Sequence, residues 1–166
     1  MRTTHGGSLR VFGCHTSDQR PSTTAVATIL KREADFGLLN EGLYRDFQAK
    51  AEKIKNDLLS FLIEKKRQGK MVAAYGAAAK GNTLLNFAGV KPDLVSFVCD
   101  AALSKQNKFL PGSHIPILAP AAIDERKPDY VLILPWNISD EIRTQLSQVS
   151  NWGGQFVVAA PELKVI

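Results

Sequence analysis

The chain has 166 residues, with 45% apolar and 22% charged side chains, near the averages for globular proteins and long enough for one continuous core. No apolar run approaches the ~18 residues a membrane-spanning helix needs, and the polar, glycine-rich start does not read as a secretory signal. The net charge of +5 is spread among acids. The densest basic cluster, Lys65-Lys66-Arg67 with Lys70, closes a predicted helix, where cations complement the helix dipole. No aromatic or arginine stripe accompanies it, so neither a nucleic acid nor a membrane is expected as a partner.

In chain order, Met1 to Gly7 reads as a boundary, and the natural protein is expected to begin upstream. Ser8 to Gly13 alternates in the manner of a strand. Residues 15–23 are a polar loop, followed by a helix near 24–38. A longer helix is predicted over 41–68, with Leu43, Phe47, Ala51, Ile54, Leu58, Phe61 and Leu62 on one stripe. From residue 70 the rhythm becomes strand, loop, helix. Strands are expected at 71–75, 94–99, 115–118, 130–134 and 156–159, with helices near 80–89, 120–125 and 139–149. These strands are near-continuous apolar runs, as in a parallel sheet buried on both faces. Ser139 is placed to cap the last helix. Cys14 and Cys99 each fall in a predicted strand and read as reduced thiols, and no metal-ligand spacing is present. The fold class is therefore α/β, a mostly parallel sheet of five to six strands covered by helices, with an N-terminal strand and two helices before it. Residues 1–69 and 70–166 are read as two parts of one domain.

Ligands of open parallel sheets bind beyond the carboxyl ends of the strands. The first such end carries Gly76-Ala77-Ala78-Ala79-Lys80-Gly81-Asn82-Thr83. Gly76 permits a tight turn, Ala78 and its neighbours permit close approach, and Gly81 permits close helix–strand packing. The following helix starts with unpaired N–H groups, and Lys80 adds a positive charge, so the loop suits a phosphate. The pattern is a G-x-A-x-x-G variant of the dinucleotide fingerprint, and a turn needed only for packing is the competing reading.

Asp100 ends the second strand, 24 residues after Gly76, near the offset at which an acid holds a ribose hydroxyl; a plain strand-end aspartate is the alternative. Lys105 and Lys108 lie in a loop placed to close over a ligand, or are simply solvated. His114 precedes a strand and reads as structural or catalytic; His5, beside Gly6-Gly7, reads as open to a ligand or another domain. After the fourth strand, Trp136 is placed to stack on a base or sugar and Asn137 to bind hydroxyls, against a buried tryptophan and a helix cap. No catalytic set emerges from spacing.

Five collinear stretches carry a resemblance: His5 to Val11, Tyr75 to Thr83, Leu110 to Pro116, Leu134 to Asn137, and Trp152-Gly153-Gly154. Together they resemble the C-terminal domain of the S-adenosylmethionine (SAM)-dependent C-methyltransferases that act on nucleotide-linked deoxysugars. The resemblance implies a cytoplasmic three-part enzyme: a cysteine-bound zinc module, a SAM-binding domain with a catalytic Glu-His pair, and a Rossmann-like platform that helps hold the nucleotide sugar. Only the platform is expected here. It binds no cofactor itself, has the SAM domain as its partner, and does not methylate alone. A nicotinamide-dependent oxidoreductase and a non-catalytic interaction module are the alternatives.

Overall fold

The computed structural model describes residues 8–166. The described residues divide into two compact units, the first ending at Ala51 and the second running Glu52–Ile166.

The first unit holds α1 (Thr24–Phe36), α2 (Glu41–Arg45) and the start of α3 (Phe47–Arg67). α1 ends at Gly37, and α2 is capped by Asn40, whose side chain accepts from the Gly42 N–H. Neither helix contains a buried residue. The expected 41–68 helix is thus interrupted at Asp46. The strand expected over residues 8–13 does not form: Ser8 makes an isolated bridge and residues 9–13 have no strand geometry. Alternation requires a ladder partner to become a strand, whereas here Val11 and Phe12 are 78% and 84% exposed. Cys14, expected in that strand, is exposed in a loop.

The second unit is a seven-stranded sheet between helices. Its strands are β1 (Val72–Tyr75), β2 (Val98–Cys99), β3 (Lys108–Phe109), β4 (Pro116–Leu118), β5 (Tyr130–Ile133), β6 (Gln155–Val158) and β7 (Lys164–Val165), in the order β3-β4-β2-β1-β5-β6-β7. β4, β2, β1, β5 and β6 run parallel, and β3 and β7 are antiparallel edges. The five expected strands are the five parallel ones. The two-residue edges β3 and β7, too short to carry a periodicity, bring the total to seven.

Alternate residues of β1 and β5 supply two separate cores. Val72, Ala74, Leu132 and Leu134 pack with Leu58, Phe61 and Leu62 of α3 and with Leu85 of α4 (Ala79–Phe87). Ala73, Tyr75, Val131 and Ile133 pack with Ala122 and Ile123 of α5 (Ala121–Arg126) and Ile142 of α6 (Ser139–Gln145). Burial on both faces is why these strands read as unbroken apolar runs. The helix expected over 139–149 is α6 followed by a 3-10 segment, Ser147–Trp152, and Ile142, Leu146 and Val149 on it are all buried. Ser139 does not cap α6. It is the first helical residue, continuing a 3-10 turn at Trp136–Ile138.

The basic end of α3 is tied into the same unit. Lys66 bonds Asp93 at 2.7 Å and Lys70 bonds Asp129 at 2.8 Å. Lys65 lies over the Phe61 and Tyr130 rings.

Candidate functional site

Counting only the parallel strands in chain order, the sheet runs third, second, first, fourth, fifth. The connections leave β1 in one direction toward β2 and return on its other side to β5. The carboxyl ends of β1 and β5 therefore flank the crevice where this topology opens to a ligand. The 76–81 turn leaves β1 at that point, and Pro135-Trp136-Asn137 leaves β5 beside it.

The two glycines of the turn are explained by that proximity. Gly76 has φ +89°, and a Cβ on it would stand 2.5 Å from Pro135 Cδ. A Cβ on Gly81 would stand 2.5 Å from Leu134 Cβ. Gly81 does let a helix pack closely on a strand, as expected, and the strand is β5. Between the glycines the turn stays accessible: Ala77 and Ala78 are half-buried and Ala79 is exposed. Ala78 has no side chain able to cap α4, so the first-turn N–H groups of that helix keep their donor capacity.

On the β5 side of the turn, three expected residues meet. The Lys80 ammonium lies 4.6 Å from the centre of the Trp136 ring and donates a hydrogen bond to Asn137 Oδ1. Trp136 also packs on the core that Ile142 belongs to. Trp136 and Asn137 thus both hold the Lys80 ammonium beside the turn.

On the β2 and β4 side lies a cleft of about 400 Å³. Its lining includes Ala77, Ala78, Ala79 and Asn82 from the turn and α4, and Lys105, Lys108, Phe109 and Ile117 from the opposite side. Asn82 Oδ1 is buried without a hydrogen-bond partner. Lys105 bonds Asp100 at 3.1 Å, and Lys108 donates to the Ser104 carbonyl at 2.6 Å.

Asp100 follows β2 and is only 8% exposed. One carboxylate oxygen accepts from the Ala102 N–H at 2.8 Å and the other from Lys105. The side chain thus orders its own loop. His114 is exposed with φ +60° on the connection between β3 and β4, and it is not among the residues lining the cleft. That connection is fastened to the α4 side by Asn86, which donates to the Pro111 carbonyl, and by Lys91, which donates to the Gly112 carbonyl. His5 lies outside the described residues.

Phe109, 64% exposed on the edge strand β3, is the lining residue that reading the sequence missed. An aromatic side chain directly after the polar stretch 104–108 was the available signal. A larger hollow of about 780 Å³ runs along α1 in the first unit, and among the described residues none of the expected site residues lines it.

A family model described as the C-methyltransferase C-terminal domain matches residues 3–161. The chain belongs to that family. It is also similar to the C-methyltransferase NovU of Streptomyces niveus, 36% identical over 162 residues, which cover 98% of this chain and 39% of that protein. The chain thus spans about two fifths of the length of that relative. As a C-methyltransferase C-terminal domain, it keeps its glycine turn at the sheet crevice, and the motif Trp152-Gly153-Gly154 has a packing role: the Trp152 indole N–H donates to the Pro128 carbonyl at 3.0 Å. Among the described residues, no three His, Cys, Asp or Glu side chains gather to hold a metal ion, and no helix is long and apolar enough to cross a membrane.

Proposed function

We propose that this chain is the nucleotide-sugar-binding platform of a SAM-dependent C-methyltransferase acting on a deoxysugar nucleotide. The observation that carries the reading is the accessible 76–81 turn at the β1–β5 crevice, in a chain of the C-methyltransferase family. Small residues let a diphosphate approach the main chain, the uncapped start of α4 offers N–H donors, and Lys80 supplies a charge. Asn137 and Trp136 keep that charge beside the turn. The chain's contribution to the reaction is orientation: holding the diphosphate fixes the sugar relative to the methyl donor.

SAM and zinc are proposed to belong to the parts of the parent enzyme outside the matched region. The described residues bring no metal-ligating set together. Asp100 is 8% exposed and both oxygens help order its own loop, which supports a loop-holding role over the ribose-holding role of a dinucleotide-binding acid. The same engagement weighs against the nicotinamide-dependent reading.

Calorimetric titration with a thymidine-diphosphate sugar tests the proposal. Lys80→Ala is expected to weaken binding about tenfold, the scale of one charge-assisted hydrogen bond. No measurable binding by the unaltered chain would overturn the assignment, and equal affinities would remove Lys80 from it.

A further inference from the structure

The geometry points to a polarity for the ligand: the cleft on the β4 side of the 76–81 turn receives the nucleoside, and the sugar lies on the β5 side. This inference rests on the nucleotide-sugar reading above and goes beyond it by dividing the site into two subsites.

The β5 side offers a base less room. Gly76 already abuts Pro135 so tightly that a Cβ would stand 2.5 Å from its ring, and the Lys80 ammonium stands over the Trp136 ring. A planar base would have to displace that ammonium to stack on the same face.

The β4 side has the opposite character. Phe109 lines the cleft and is exposed, which leaves ring surface available for stacking. Pro111 and the nearly buried Leu110 and Ile117 add apolar lining, beside Lys105 and Lys108. Such walls suit the flat surface of a base better than a hydroxyl-covered sugar. The cleft adjoins the first turn of α4 through Ala78, Ala79 and Asn82, so a nucleoside there puts its diphosphate at the helix start. The sugar then emerges toward Lys80.

Calorimetry on the 166-residue chain with inorganic pyrophosphate and thymidine diphosphate separates the subsites. Thymidine diphosphate is expected to bind about tenfold more tightly than pyrophosphate, the scale of one stacked base. Phe109→Ala is expected to remove most of that advantage and leave pyrophosphate affinity unchanged, with Phe109→Tyr restoring it. As an exposed edge residue, Phe109 is replaceable without loss of the fold, checked by thermal melting. The inference fails if the unaltered chain binds both probes equally. It also fails if Phe109→Ala leaves the thymidine diphosphate affinity unchanged or weakens both probes alike. Absence of binding by either probe overturns the nucleotide-sugar reading itself, and this inference with it.

Discussion

Lys80 and Trp136 form a cation–ring pair, the ammonium 4.6 Å from the ring centre, across 56 residues of chain. Asn137, next in sequence to the tryptophan, accepts a hydrogen bond from the same ammonium. Two side chains from β5's exit thereby position one from β1's exit. The expected consequence is that Asn137→Ala weakens binding of a thymidine-diphosphate sugar about threefold, less than Lys80→Ala, and adds little in the double variant. A double-mutant cycle by calorimetry reads the coupling. Additive effects would show that Asn137 acts independently of Lys80.

Gly81→Ala sets two effects against each other. Alanine favours a helix by about 1 kcal/mol over glycine, whereas the new methyl would meet Leu134 Cβ at 2.5 Å, an atom bonded directly to the β5 main chain. Overpacking of that kind costs about 1–3 kcal/mol, so net destabilisation of about 1 kcal/mol is expected in urea unfolding. Gly76→Ala is expected to cost more, because steric conflict with Pro135 adds to the left-handed backbone at φ +89°. A variant more stable than the parent would contradict the packing account.

Lys70 holds the Asp129 carboxyl below its ordinary value through a side-chain hydrogen bond, and the Met71 N–H lowers it further. A carboxyl lowered in the folded state contributes stability above its unfolded value of about 4, and that contribution is lost as pH falls through the folded value. Asp129→Asn keeps one acceptor and removes the charge. It is expected to cost at most about 1 kcal/mol at pH 7, since the pair is solvent-screened, with the difference shrinking as the pH falls below about 4. Urea unfolding at pH 7 and pH 3 measures both, and a gap that widens in acid would rule out the ion pair as the cause.

Burial pushes the Cys99 thiol up to about 12, and the side chain is inaccessible within β2. Cys14 is exposed. Of the two cysteines, only Cys14 is expected to react with a colorimetric disulfide reagent in the native protein, and both after denaturation. Removing Cys14 by Cys14→Ser should therefore leave a native protein inert to the reagent. Rapid reaction of that variant would place Cys99 at an accessible site.

The parallel strands were legible because each is buried on two faces. A run such as Tyr130 to Leu134 cannot be both-sided core without being apolar throughout. Gly76 and Gly81 announced a tight, close-packed turn for an equally local reason: the absence of a Cβ is written in the sequence. The strand expected at residues 8–13 shows the limit, since alternation states what a strand needs and not whether a partner strand is present. β3 and β7 were invisible for the complementary reason. Two residues carry no periodicity, and both strands exist because an edge of a neighbouring strand was available to pair with.

The sequence by itself determined the α/β class, the five buried strands and the small-residue turn at the end of the first. Only the tertiary structure decided that Gly81 packs on β5, that Lys80 meets Trp136 and Asn137, that Asp100 is held by its own loop, and that Phe109 faces the turn across a cleft. Patterning records how each segment meets solvent and core, a property of neighbours in the chain. Which loop ends share a crevice depends on the crossover order of the strands, and that order follows from packing whole elements together.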